Sequence, residues 1–407
     1  MRKSCATCIY CIALGLLSIA TSVQAKRPGF SGLTALADSP DAAFWNPAAT
    51  TRVPESIELQ LAIAYSNADF EVDEATFSGG DPHKQDEINP IPGVYYVNPL
   101  NDKWVHSLSV NVPSGFGSDY GSSWSGRYLS QESSLVFVAI NNSLAYRWKE
   151  DLSLAAGIQV MYVSSESKTS INNIGPRGDG RMKLDEDGVG AGFTLSSLYE
   201  LSPDTRFGIT YRSETEIDLD GTPELRNADN AYLIALNNQG LLGEEVDVDF
   251  KVPQQVQLGL FRQINDRYSV TADIFCIDMS EFGVTSVSAG PDHVSVESTF
   301  EDTHLTSIGL GYRWDDRTQV NIGIGYMKSP VDDDDRTLYL PLDELWIYGI
   351  GIVRELDNGD ILTVNFEYID IGNAPVDQEN SVLSGRVEGE YHHNYAVLLD
   401  VNYRFNL

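Results

Sequence analysis

The sequence is poor in cysteine and in positive charge. Cys5, Cys8 and Cys11 all lie within the first 25 residues, which leaves Cys276 as the one cysteine in the rest of the chain. A single cysteine cannot form an internal disulfide, so the fold must be stable without one. With 27 basic against 59 acidic residues, the formal charge is −32. This charge argues against nucleic acid as a partner and against docking on anionic lipid.

Long apolar runs are also absent. A membrane-spanning helix needs about 20 consecutive apolar residues, and no segment after the N-terminus approaches that length. The N-terminus itself joins Arg2 and Lys3 to a short apolar run over residues 9–20 and to small residues ending at Ala25. This pattern predicts a secretory signal over residues 1–25, cleaved after Ala25.

No linker, low-complexity tract or shift of composition divides the remaining chain. Its length alone would suggest two or three soluble domains. A single large barrel is the other architecture that uses such a length. The prolines at 40 and 47 predict a compact, irregular segment before the first strand, since proline interrupts both helices and strands.

Apolar and polar residues alternate from position 57 onward. Ile57, Leu59 and Leu61 are separated by polar or small residues, and comparable segments recur to give fourteen predicted strands. Short turns alternate with long loops along the chain, which is typical of an outer-membrane β-barrel. The third strand is predicted to end at Pro113, and the last runs to the C-terminus.

A soluble β-sandwich or propeller would show the same alternation, because each of its strands also has one buried face. It would not explain the alternating loop lengths, the export signal and the terminal strand together. Since lipid leaves no backbone group unpaired, the sequence predicts an all-β, closed, antiparallel 14-stranded transmembrane barrel.

Three motifs resemble those of the FadL/TodX (OMPP1) family of outer-membrane transporters for long-chain fatty acids and other hydrophobic compounds. They are Asn46-Pro47-Ala48 after Leu36-Ala37-Asp38, the loop Pro113-Ser114-Gly115-Phe116-Gly117, and the stretch Trp124-Ser125-Gly126-Arg127-Tyr128. Together with the fourteen strands, the resemblance covers nearly the whole chain after the signal.

The resemblance implies an N-terminal hatch over residues 26–50 inside a barrel formed by residues 51–407. It places hatch or gate residues at Phe44, Asn46, Pro47 and Ala48, and a third-strand opening at Pro113, Gly115, Phe116 and Gly117. In the implied mechanism, ligand is captured among extracellular loops and leaves sideways into the membrane through that opening. For Pro113 and Gly115 the alternative is simple turn geometry.

Two further features are candidates for ligand contact. An apolar cluster in a long loop predicts a ligand-landing surface on a short helix, and its members are Leu233, Ile234, Leu236, Leu241 and Leu242. The alternative is that this helix only packs on neighbouring loops. Arg127 is the candidate contact for an anionic head group. The acidic run 332–335 is expected to be a solvated loop, or else to bridge lipopolysaccharide through divalent ions.

The predicted function is uptake of hydrophobic molecules, with long-chain fatty acids as the leading candidate, across a Gram-negative outer membrane. Expected partners are the hydrophobic ligand, membrane lipid and lipopolysaccharide, with no nucleic acid and a monomeric barrel. The alternatives are a non-transport surface barrel, such as an adhesin, and an aromatic-hydrocarbon channel. A plug argues against a general porin. No G-x-S-x-G context supports an enzyme, and no catalytic residue, metal site or cofactor is expected.

Overall fold

A computed structural model describes residues 27–173, 176, 178–290, 292–296, 298–339, 342–381 and 383–407. The predicted signal, residues 1–25, lies outside the described residues. Arg27–Val53, named here the N-terminal segment, contains a 3-10 turn at Pro28–Phe30, a helix at Ala42–Trp45 and a 3-10 helix at Pro47–Arg52. The helices of the described residues are too short or too polar to cross a membrane.

Strands make up most of the rest of the described chain. They are β1 (Ser56–Ala75), β2 (Gln85–Pro99), β3 (Trp104–Asp119), β4 (Glu132–Lys149), β5 (Leu152–Ile171), β6 (Gly180–Ser202), β7 (Thr205–Arg212), β8 (Thr215–Gly221), β9 (Glu224–Arg226), β10 (Val246–Val252), β11 (Gln255–Gln263), β12 (Tyr268–Ile277), β13 (Gly283–Ala289), β14 (Asp292–Ser295), β15 (Thr303–Arg313), β16 (Thr318–Met327), β17 (Leu345–Glu355), β18 (Ile361–Asp370), β19 (Val376–Ser381) and β20 (Gly385–Asn406).

These strands form one closed antiparallel barrel. β7 and β8 are two halves of one barrel strand, as are β10 with β11 and β12 with β13, because each pair of halves continues the same ladders. β9, β14 and β19 are short strands that pair only with the loop-side ends of β6, β13 and β20. Among the described residues this leaves fourteen barrel strands, and β20 closes the ring on β1, with Ser56 opposite Asn406. The predicted fold class is confirmed.

The barrel is apolar outside and polar inside. Along β1 the buried face carries Glu58 and Gln60, whereas Leu59 and Leu61 on the other face are 45% and 49% exposed. A soluble sandwich would bury the leucines, so this inversion identifies the outer face as one that lies in lipid. Trp148 and Trp314 are exposed beside short turns, as expected for an aromatic girdle.

The third strand extends beyond its predicted end on the long-loop side. The prediction that the third strand ends at Pro113 is wrong, because β3 continues to Asp119. The reason is a register shift between Asn111 and Ser114, after which β3 pairs with β4 again. Proline removes one ladder donor but need not end a strand when a bulge absorbs it.

Candidate functional site

The N-terminal segment lies within the ring of strands and is almost entirely buried. Asn46 fixes its second half. The Asn46 side chain accepts a hydrogen bond from Ala48 N (3.1 Å), which caps the 3-10 helix, and its Nδ2 donates to Thr34 O (2.7 Å) and to Ser197 O on β6 (3.1 Å). One amide therefore joins both halves of the segment to the barrel wall.

Two carboxylates of the wall bind backbone N–H groups in the first half of the segment. Glu367 on β18 accepts from Gly29 N at 2.8 Å, and Asp273 on β12 accepts from Thr34 N at 3.0 Å and from Gly32 N. Both carboxylates are buried. Buried backbone donors need such partners, so these acids fix the first half of the segment.

Arginines of the wall bind carbonyl groups farther along the segment. Arg206 Nη2 donates to Leu36 O at 2.7 Å, Arg212 donates to Phe44 O, and Arg147 donates to Thr51 O. The wall therefore contacts the early part of the segment mainly through acceptors and the later part mainly through donors.

A cavity of about 160 Å³ lies between this segment and the wall. Phe30, Phe44 and Trp45 of the segment face it. Its other lining residues are mostly apolar and include Phe137, Met161, Phe275, Met279, Phe282, Leu305, Met327 and Ile347. The cavity is thus an apolar chamber whose floor includes the N-terminal segment.

Arg212 brings a positive charge into this chamber. It lines the cavity, is 3% exposed, and stacks on the Phe44 ring at 4.0 Å. Its Nη1 donates to Gln257 at 2.8 Å when that amide is oriented to satisfy both groups, and its Nε has no hydrogen-bond partner. Within the described part of the chain no carboxylate forms an ion pair with Arg212. A buried guanidinium without an anion is costly, so the site favours an anionic ligand group.

The β2–β3 gap is a break in the barrel wall, bounded by residues 85–92 of β2 and 112–119 of β3. The β2–β3 ladder begins with Pro99 opposite Val105 and ends with Gly93 opposite Asn111. Beyond it, these described stretches pair only with β1 and β4 respectively. Pro90, Pro92 and Pro113 border the gap, and because proline has no N–H, fewer donors are left unpaired.

A second cavity, of about 330 Å³, lies at the β2–β3 gap. Gly115, Phe116 and Gly117 line it, and Ser114 lines both this cavity and the apolar chamber. Ser133 and Val136 of β4 also line it, although Ser133 is buried and Val136 is 41% exposed on the lipid side. The cavity therefore reaches from the lumen to the outer face of the wall, beside the chamber.

The other predicted contacts lie elsewhere. Arg127 Nε pairs with Asp179 Oδ2 at 2.8 Å, and its Nη1 donates to Ser78 O at 2.8 Å, so its guanidinium is engaged within the extracellular loops. The loop helix Asn230–Gln239 exists as predicted. The five residues of the predicted landing surface differ in exposure. Leu236 and Leu241 are buried in the hydrophobic core and Leu233 packs against that core, whereas Ile234 and Leu242 are exposed.

The sequence interpretation named Phe44 and Pro113, which line the chamber, but missed Arg212 and the other chamber residues. The signal available was a basic residue at the inward position of a strand, two places after Thr210. Strand alternation predicts which face a residue occupies but not which inward residues from distant strands meet. No group of three or more His, Cys, Asp or Glu side chains in the described ranges is placed to hold a metal ion.

Comparisons with known proteins agree on one family. The model for outer membrane protein transport protein (OMPP1/FadL/TodX) matches residues 7–406. The long-chain fatty acid transport protein of Escherichia coli O6:H1 (strain CFT073) is 23% identical over 379 residues, which cover 84% of this chain and 83% of that protein. Outer membrane protein P1 of Haemophilus influenzae (strain ATCC 51907 / DSM 11121 / KW20 / Rd) is 22% identical over 287 residues, 61% of each chain.

Two solved structures share the fold. A Pseudomonas aeruginosa FadL homologue superposes with a TM-score of 0.86 at 17% identity, covering 96% of this chain and 99% of that one. The Pseudomonas putida toluene transporter TodX gives a TM-score of 0.67 at 16% identity, with the same coverage. At these identities the likeness concerns the architecture.

Proposed function

Because this chain belongs to the OMPP1/FadL/TodX family of outer membrane transport proteins, it is a Gram-negative outer-membrane transporter of hydrophobic molecules, and we propose that its ligands are long-chain fatty acids. The family consists of transport channels, and we propose no catalytic role for this member. The ladder between β1 and β20 closes the ring, and we propose that the barrel is a monomer among lipid and lipopolysaccharide.

Arg212 is the observation that carries the fatty-acid proposal. An apolar chamber alone would suit any hydrocarbon, including the aromatic compounds that the name of TodX suggests. A buried guanidinium without a carboxylate partner adds a preference for an anionic head group, since ion pairing would offset its desolvation. An alkyl chain would then contact the Phe and Met side chains of the chamber.

We further propose that residues 26–50 act as a hatch, with Phe44, Asn46, Pro47 and Ala48 at its gate. The support is that Phe44 lines the chamber while its carbonyl accepts from Arg212. A ligand carboxylate at Arg212 would compete with this carbonyl. Binding would thereby weaken the contact that holds the second half of the hatch.

The proposed exit is the β2–β3 gap, through the opening at Pro113, Gly115, Phe116 and Gly117. Ser114 lines both cavities, and the second cavity is lined by residues of the inner and the outer face of the wall. Both observations support a route from the chamber into lipid. We propose Ile234 and Leu242 as the exposed part of the landing surface, with Leu233, Leu236 and Leu241 supporting it from beneath. We also propose Arg127 as a head-group contact during capture.

Equilibrium binding of matched ligands tests the proposal. In purified barrel, the variant Arg212→Met should weaken the binding of hexadecanoate at least about tenfold, the equivalent of about 1.4 kcal/mol. Binding of 1-hexadecanol should change little, because the alcohol lacks the charge. Arg212→Lys keeps a cation and should lose less affinity.

Arg317→Gln serves as the matched control, because it also removes one guanidinium, that of an exposed residue paired with Asp357 on a short turn, and should leave chamber affinity unchanged. An equal loss for the acid and the alcohol in Arg212→Met would show that Arg212 is structural. Tighter binding of toluene than of either alkyl ligand would support the aromatic-hydrocarbon channel instead, and binding of none would support a non-transport surface barrel.

A further inference from the structure

One acidic side chain crosses the β2–β3 gap. Glu87 projects from β2, is half-buried and lines the second cavity. Its carboxylate lies against β3 at Gly117: a Cβ added to Gly117 would come within 2.7 Å of Glu87 Oε2. The carboxylate therefore spans from one edge of the gap to the other and rests where β3 has no side chain.

The charge of Glu87 is not offset by a basic group. Asn89 Nδ2 donates to Glu87 Oε2 at 3.2 Å, and among the described residues no Lys, Arg or His forms an ion pair with it. The two other acids of the cavity do have basic neighbours. Glu132 pairs with Lys168 at 2.6 Å, and Asp119 lies 3.6 Å from His83 Nε2. The negative potential of the gap is thus concentrated at Glu87.

A ligand that leaves the chamber by this gap passes through the cavity into which the Glu87 carboxylate projects, beside Gly117. At its inner end the route begins at Arg212, which attracts an anion; at its outer end it meets an unpaired carboxylate. Like charges repel strongly at short range where water is scarce. A neutral head group avoids that repulsion, and a protonated acid can also donate a hydrogen bond to the carboxylate.

We propose that Glu87 is a specificity-determining residue that filters the exit by charge, so that neutral head groups pass more readily than ionised ones. This inference rests on the proposed lateral release. It adds a second selection step to the first: Arg212 favours binding of the anion, and Glu87 favours release of a head group without charge. A fatty acid consequently leaves tail first, and its head group passes last, with a proton taken from solvent.

Initial uptake rates of labelled tetradecanoate and 1-tetradecanol test this in cells that lack the native protein and express variants from a plasmid. Glu87→Gln keeps the size of the side chain and removes its charge. It should raise the uptake rate of the acid at least about threefold at neutral pH and leave that of the alcohol unchanged. Glu87→Asp, which keeps the charge, should resemble the wild type in its ratio of acid to alcohol.

Asp86→Asn is the matched control, because it removes the same charge from the adjacent, exposed position of β2. Its acid-to-alcohol ratio should not move. A ratio unchanged by Glu87→Gln, or equal gains for both ligands, would overturn the charge filter while leaving transport intact. If the wild type takes up neither ligand, lateral transport itself fails. Heat-dependent mobility in detergent gels verifies that each variant barrel is folded.

Discussion

Gly323 on β16 lies at a close approach of the wall to the N-terminal segment. A Cβ there would fall 1.8 Å from Pro28 O, so even alanine would displace the first half of the segment. Overpacking of this kind costs about 1–3 kcal/mol. Gly323→Ala should therefore loosen the segment without opening the barrel, whose strands pair through backbone groups.

The measurement is the rate at which a periplasmic thiol reagent modifies Ser31→Cys in a Cys276→Ser background. We expect Gly323→Ala to raise this rate about tenfold or more, as follows from about 1.4 kcal/mol. The control is Gly115→Ala, since a Cβ on Gly115 would have its nearest neighbour, Leu135 O, at 3.8 Å. Equal rates in both variants would mean that the first half is not held by close contact at Gly323.

At the residue scale the sequence predicted some lumen residues and missed others for a definite reason. Phe44 and Asn46 follow from a local motif between two prolines, and both are buried beside the wall. Arg212 is marked only by its charge at an inward position of its strand, and Glu87 has no local signature. Their roles depend on what other strands place around them. The described strands near Arg212 bring no anion to it, and the strand edge opposite Glu87 is unpaired. Pairing between distant segments creates both conditions.

At the scale of elements, the N-terminal segment combines short helices with anchors on both sides of the barrel. Glu367 and Asp273 hold residues 29–34, whereas Arg212 and Arg147 hold residues 44–51. If the segment closes the lumen, deletion of residues 28–45 should raise single-channel conductance in planar bilayers severalfold. The wall residues that lose their partners are polar and would be hydrated.

The matched comparison for that deletion is Arg127→Gln, a change in the extracellular loops that should leave conductance unaltered. Both proteins should keep heat-dependent gel mobility, which shows that the barrel is closed. A deletion variant with wild-type conductance would mean that the segment does not lie in the current path.

The fourteen barrel strands were predictable because alternation repeats in every one of them, and short turns separate them in pairs. Their outer ends were not. β6 begins at Gly180, and its first residues include the charged Lys183 and Asp185, a composition typical of a loop. Above the membrane a strand no longer needs an apolar face, so its hydrophobic signal ends while its hydrogen-bond ladder continues.

At the scale of the whole molecule, the chain reverses the arrangement of a soluble protein, with leucines outside and carboxylates inside. Its formal charge of −32 adds a repulsive field for any anionic ligand. Long-range attraction therefore cannot collect fatty acids, and affinity must come from burial within the chamber and from the local charge of Arg212. These two contributions respond differently to chain length and to salt.

Each methylene moved from water into the chamber contributes about 0.8 kcal/mol, or roughly a fourfold change in Kd. Hexadecanoate should thus bind at least about a hundredfold more tightly than octanoate, with the gain levelling off once the chain exceeds the cavities.

Raising ionic strength from about 0.01 M to 0.15 M shortens the Debye length from about 30 Å to 8 Å. Because salt then screens the net repulsion, the association rate of the acid should rise, while that of 1-hexadecanol, which carries no charge, should stay constant. Stopped-flow fluorescence with both ligands measures these rates. Equal affinity for octanoate and hexadecanoate would contradict burial as the main driving force, and an association rate for the acid that falls with salt would show that long-range attraction guides capture after all.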